Sequence, residues 1–110
     1  MAFKALFIAH APDADKEKHR SVIDTGMYQL FTVVVKNQEE AVEVSSDLIQ
    51  REHIDSILLC PGFKHSDVAE LAKTAGSDVA VVVARGDGPS NKVSQEALQR
   101  EGYFTKRGKG

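Results

Sequence analysis

The chain reads as a single α/β domain: a three-layer sandwich in which helices cover both faces of a four-stranded, mainly parallel sheet. Three observations predict this. Four short apolar runs, at 3–9, 28–35, 54–60 and 79–84, alternate with stretches of helical character. The runs are apolar along most of their length, not at every second residue, which marks strands buried on both faces. A length of 110 residues with 42% hydrophobic and 27% charged residues provides for one core and not for two.

The first run is interrupted only by Lys4 and passes into a polar loop, His10-Ala11-Pro12-Asp13-Ala14-Asp15. Residues 16–23 open with Lys16, Glu17, Lys18, His19 and Arg20, a wet surface stretch with Val22 and Ile23 only at its end. They support a short, weak helix at best, which Thr25-Gly26 breaks. The run Y-Q-L-F-T-V-V-V at 28–35 is dense in β-branched and aromatic residues and makes the second strand. Tyr28 and Phe31 belong to a core or an interface.

Asn37 and Glu40 have the spacing of a capping box. Behind them Ala41, Val44 and Leu48 form one stripe, with Ile49 beside it and Glu39, Glu40, Glu43, Asp47 and Gln50 outside. His53 falls at the C-terminal end of this helix, where the dipole favours it as a solvated residue. The third strand ends at Cys60, and Pro61-Gly62 stops it. Helical period returns from Asp67 to Ala75 through Val68, Leu71, Ala72 and Ala75, with Gly76 past the end. The run at 79–84 is the fourth strand. A loop from Arg85 to Ser90 leads, with Ser90 as its cap, to a last helix at 91–101 that turns Val93, Ala97 and Leu98 inward. The domain is expected to span 1–104, with 105–110 a flexible basic tail.

Alternating strands and helices give parallel pairing with right-handed crossovers. The simplest arrangement is the flavodoxin-like strand order 2-1-3-4. In that order the helices leaving the first and third strands lie on opposite faces and open a crevice between the strands' carboxyl ends. The loop at His10, the turn at Cys60 and the loop at Arg85 converge there, which is the main reason to expect a site at that edge.

Charge and composition narrow the function classes. A formal net charge of −2 with 6% aromatic residues speaks against nucleic acid and against an anionic membrane surface. The apolar run at 5–9 is too short for a leader segment or a membrane span. One cysteine excludes an intrachain disulfide and fits a reducing cytoplasm. The leading expectation is therefore a cytoplasmic module that binds a small anionic ligand through His10, Cys60, His65, Arg85, Gly86, Asp87 and Gly88. Arg85 holds the negative group, the amides near Gly86 and Gly88 at a helix N-terminus support it, and His10 or His65 meets its polar end. The plainer alternative is that Gly86, Gly88 and Pro89 only build a turn. The G-D-G here matches neither the Walker nor the dinucleotide pattern.

A second expectation makes Cys60 the nucleophile of a thiol-dependent enzyme, its thiolate favoured by the following helix N-terminus, with His65 or His10 as base. Against it stands Cys60 as a small hydrophobe that finishes a buried strand. His10, His65 and Cys60 with Asp13 or Asp87 have no local metal-ligand spacing, so no metal is expected, and no cofactor is indicated. A third expectation is an assembly module. In a four-stranded sheet the edges at 28–35 (Tyr28, Leu30, Phe31) and 79–84 (Val79, Val81, Val82, Val83) carry no charge, proline or bulge to protect them. Either the segment Tyr103-Phe104-Thr105 folds back as an extra strand, or a second subunit docks in a two-fold dimer.

Three stretches carry a resemblance to a known group. Ala5-Leu6-Phe7-Ile8-Ala9-His10-Ala11-Pro12-Asp13-Ala14-Asp15, Asp55-Ser56-Ile57-Leu58-Leu59-Cys60-Pro61-Gly62-Phe63 and Val83-Ala84-Arg85-Gly86-Asp87-Gly88-Pro89-Ser90 are similar to a family of small uncharacterised prokaryotic proteins, a domain of unknown function. Membership implies an α/β fold and no established activity. The architecture also resembles that of cobalamin-binding domains, whose loop reads Asp-x-His-x-x-Gly. The nearest stretch is Glu17-Lys18-His19-Arg20-Ser21-Val22, with glutamate for aspartate and valine for glycine, so the likeness implies shared architecture and not a shared ligand.

Overall fold

The structure, a computed structural model, describes residues 1–104. The expected tail at 105–110 lies outside the described residues. The elements in chain order are β1 (Phe3–His10), β2 (Arg20–Asp24), β3 (Tyr28–Val35), α1 (Gln38–Glu52), β4 (Ser56–Leu59), α2 (His65–Ala75), β5 (Ala80–Val83) and α3 (Gly88–Arg100). They form a mixed α/β fold around one sheet of five strands, not four, in the order β2-β3-β1-β4-β5. β1 pairs in parallel with β3 and β4, and β4 with β5, while β2 runs antiparallel to β3.

The added strand comes from the stretch expected to be a weak helix. Its two apolar residues, Val22 and Ile23, are adjacent, so they cannot share a helical stripe but do point to opposite faces of a strand. The break at Thr25-Gly26 is a hairpin turn. Gly26 takes φ 103°, its amide donates to Asp24 Oδ1 at 2.8 Å, and the Thr25 amide donates to the Tyr28 carbonyl at 2.9 Å. β2 therefore seals the edge of β3 that reads as bare in the sequence.

Strand alternation sorts the side chains of the sheet. Leu6 and Ile8, Phe31, Val33 and Val35, and Ile57 and Leu59 point to one side. There they join Ala41, Val44 and Leu48 of α1 and Leu71 of α2 in the buried core. α1 and α2 pack side by side on this face because the crossovers β3–α1–β4 and β4–α2–β5 step across the sheet in the same direction, and right-handed crossovers then share a side. A helix for the other face would have to follow β1, where the chain builds β2 instead. The expected three layers with helices on both faces are thus corrected to one layer of packed helices on one sheet.

Helix ends follow local chemistry. Asn37 Oδ1 accepts the Glu40 amide at 2.9 Å and starts α1, and His53 ends it in the left-handed region at φ 60°. α3 starts earlier than expected. Its cap is Asp87, whose Oδ1 accepts the Ser90 amide at 3.0 Å, so Ser90 is the donor and not the cap. No residue of α3 is buried, and among the described residues no other element packs broadly against it. Val93, expected inward, is 67% exposed. Tyr103 and Phe104 are helical and form no extra strand along β5; Thr105 lies outside the described residues.

Candidate functional site

β4 lies between β1 and β5, so the ladder itself brings their carboxyl ends together. The Cys60 amide donates to the Ile8 carbonyl at 3.1 Å and the Ala84 amide to the Leu59 carbonyl at 2.8 Å. His10, Cys60 and Arg85 leave the sheet as neighbours in consequence.

His10 ends β1 on the same face as Leu6 and Ile8, where α2 begins. Its ring stacks on the buried Phe63 with centroids 4.0 Å apart and planes 24° apart. The imidazole is half-buried, and its Nε2 is buried without a hydrogen-bond partner. Burial lowers its pKa from the ordinary 6.5, the larger effect, and the Asp67 carboxylate pulls in the opposite direction. At neutral pH the ring is therefore uncharged and carries one donor and one acceptor nitrogen.

Cys60 is half-buried and unpaired and packs against the core. The turn Pro61-Gly62 carries a glycine that both the thiol and the imidazole flank. A Cβ on Gly62 would lie 3.6 Å from Cys60 Sγ and 3.6 Å from His10 Nδ1, so both groups border one small space over this glycine. Arg85 reaches the same turn, where its Nη1 donates to the Pro61 carbonyl at 3.0 Å. This contact uses one of the five guanidinium donors and ties the loop after β5 to the turn after β4.

The other expected residues take different places. His65 is exposed on the first turn of α2. Asp87 holds its carboxylate on the N-terminus of α3, which places a negative charge where an anion was expected to sit. Gly86 serves packing, since a Cβ there would come within 2.6 Å of Asn91 Oδ1, whose Nδ2 donates to the Gly86 carbonyl at 3.3 Å. Gly88 opens α3 in free space, where a Cβ would meet no atom within 4 Å. The loop after β5 thus divides: Arg85 faces the turn after β4, while Gly86, Asp87 and Gly88 build the start of α3.

The crevice also lacks one expected wall, because no helix follows β1. Two grooves lie elsewhere. A groove of about 280 Å³ between β2 and α1 is lined by Arg20, Val22, Phe31, Leu48 and Arg51, among others, and an adjoining one of about 180 Å³ by Lys16, Glu43 and Asp47, among others. None of the expected site residues lines either. The stretch compared with the cobalamin loop forms the turn into β2, and His19 Nδ1 accepts the Asp15 amide at 2.9 Å. Among the described residues no group of three or more His, Cys, Asp or Glu side chains is placed to hold a metal ion. No helix of the described residues is long and apolar enough to cross a membrane.

Three participants escape the sequence reading. Gly62 reads only as a strand breaker and Phe63 only as an apolar residue after it. Gln38 carries no signal in the sequence, yet its Nε2 donates to the Asp67 carbonyl at 3.2 Å and to Glu70 Oε1 at 2.9 Å, joining α1 to α2. Only the Pro-Gly dipeptide next to a strand end offered a signal.

A model of a family of unknown function (DUF6506) matches residues 3–99. No curated protein and no solved structure shows significant similarity to the chain.

Proposed function

The chain belongs to this family of unknown function, and we propose that it binds a small anionic ligand over the Pro61-Gly62 turn. The observation that supports this reading is the meeting of His10, Cys60 and Arg85 at one turn, with a buried His10 Nε2 that has no partner. A buried polar atom without a partner carries a desolvation cost of about 1–3 kcal/mol that a ligand group can relieve. Arg85 takes the ligand's negative group and His10 its polar end. The setting is cytoplasmic, where a single unpaired cysteine stays reduced.

A thermal-shift panel of carboxylated and phosphorylated metabolites tests the reading on wild type, Arg85→Ala and Gly62→Ala. Gly62→Ala is the informative variant. Its methyl fits at ordinary contact distances, so it leaves the fold intact while filling the space between thiol and imidazole. A compound that stabilises the wild type and neither variant supports the site. No shift with any compound, or equal shifts in all three proteins, overturns it.

The position of Cys60 and His10 on either side of Gly62 also favours a second reading, in which the thiol is a nucleophile and His10, not the exposed His65, its base. Alkylation of Cys60 by iodoacetamide across pH separates the two. A rate that follows an ordinary thiol titration, or no reaction in the folded protein, removes the catalytic reading and leaves the binding one.

A further inference from the structure

The two edges of the sheet differ in kind. β2 forms one of them, with Arg20 and Asp24 at its ends and all of its residues exposed. β5 forms the other with Ala80-Val81-Val82-Val83, a stretch without charge or proline whose register with β4 runs unbroken. Charge, proline and bulges are the usual protection of an edge, and β5 has none of them.

The ladder fixes which groups of this edge face outward. The Ala80 amide donates to the Asp55 carbonyl at 3.1 Å and the Ala84 amide to the Leu59 carbonyl at 2.8 Å. The paired stretch therefore runs from Ala80 to Ala84, and its even-numbered residues turn their backbone groups towards β4. The N–H and C=O groups of Val81 and Val83 point away from the sheet. Among the described residues nothing bonds to them. α2 packs beside β5 and α3 packs broadly against no element, so neither helix pairs with this edge.

We propose that β5 of a second copy of this chain takes the edge, antiparallel, about a two-fold axis at Val82. The strand is complementary to itself. A two-fold axis normal to the sheet leaves each face on its own side, so it opposes only residues of the same face. Centred on 80–84, it sets Val82 against itself, Val81 against Val83 and Ala80 against Ala84. Val81 and Val83 then form the hydrogen-bonded pairs, each pair exchanging two bonds, and this uses every outward group of the stretch. All opposed side chains are apolar, as cross-strand contact favours. The nearest charges, Asp78 and Arg85, fall opposite Gly86 and Val79, so no like charges meet. The chain's own candidate for this edge, Tyr103-Phe104, is helical. Five residues of strand span about 17 Å, and an edge of that length alone falls short of the ~800 Å² per partner of a stable interface. The pair is therefore a weak one that separates on dilution. It is independent of any ligand at Gly62, since nothing from the second copy is needed there.

Light scattering from millimolar to micromolar protein tests the pairing, with circular dichroism as the check on folding. The wild-type mass is expected to rise with concentration from 12.0 kDa towards twice that value. Val82→Lys sets like charges across the axis, and Val81→Pro removes an amide that the single chain leaves free. Both are expected to stay at 12.0 kDa with an unchanged spectrum. A wild type at 12.0 kDa throughout, or either variant still dimeric, overturns the proposal. Cysteine crosslinking in a Cys60→Ser background tests the register. Residue 82 opposes itself as a non-hydrogen-bonded pair with Cα atoms about 4.5 Å apart, within reach of a disulfide. Val82→Cys is thus expected to oxidise to a covalent dimer, and Ala80→Cys, opposite Ala84, is not. No crosslink through residue 82, or equal crosslinking of both variants, refutes the pairing.

Discussion

Replacing Ser45 by alanine should stabilise the protein, and the structure sets the size of the effect. Ser45 lies on the buried stripe of α1 between Val44 and Leu48, is 0% exposed, and its Oγ has no hydrogen-bond partner. An unsatisfied buried hydroxyl costs about 1–3 kcal/mol, and alanine removes it. Alanine also gains about 0.5 kcal/mol in helix propensity. The void left by one oxygen is smaller than a methyl group and opposes these gains by less than about 1 kcal/mol. The net expectation is stabilisation by about 1–2 kcal/mol, each kcal/mol raising Tm by about 4–8 °C in a domain of this size. Urea denaturation followed by far-UV circular dichroism measures it. Ser46→Ala, at the half-buried neighbouring position, reports the propensity gain alone. If Ser45→Ala destabilises the protein, or gains no more than Ser46→Ala, the hydroxyl is bonded, the Ala41 carbonyl one turn back being the natural acceptor, and the reasoning fails.

Three further outcomes follow from the same geometry. His10 has a folded pKa below 6.5 because it is buried, so the unfolded chain binds its proton more readily. Its contribution to stability is complete above pH 6.5 and is lost as pH falls from there towards the folded value; denaturation midpoints taken from about pH 7.5 to 5.5 should show that slope, and His10→Gln should flatten it. Asn37→Ala should cost about 1 kcal/mol of global stability by uncapping α1, whereas Asp87→Ala should lower helicity with little change in the global midpoint, since α3 is not packed into the core; equal losses would contradict that separation. Leu6→Ala, at a fully buried position of the central strand, should cost about 2–5 kcal/mol in the same urea assay, and a loss below about 1 kcal/mol would show that β1 is not the centre of the core.

The strands and main helices were legible because each is governed by its own residues. The β-branched density of 28–35 and the Asn37 cap act over a few positions, and the structure realises both, although Glu40 Oε1 accepts the Lys36 amide at 2.9 Å and so does not close the expected capping box on Asn37. β2 was not legible for a related reason. Its outer residues are polar, and its strand character comes from Thr25-Gly26 and from an edge of β3 that needs a partner, neither of which shows in hydrophobic period. The missing layer traces to the same error, since the expected helix after β1 is replaced by β2. At the site, strand order alone brought His10, Cys60 and Arg85 together. The roles of Gly62 and Phe63 depend on contacts across the chain, as does the use of Asp87 as a cap, and local sequence does not carry these.

The hairpin of β2 and β3 also favours one order of loop closure. Val22 faces Phe31 across a short span of sequence, whereas Leu6 meets Ile57 from the far side of β3 and α1. With closure entropy growing as the logarithm of loop length, the second pairing costs about 1.5 kcal/mol more than the first when made directly from the open chain. Hairpins form in about 1–10 μs, so β3 becomes available as a template before the other strands have partners. β1 comes first in the chain and lies at the centre of the sheet, yet closure entropy favours its pairing after the hairpin. Its first partner, β3, arrives already paired on the opposite edge, and this leaves only one side of β3 on which β1 can add.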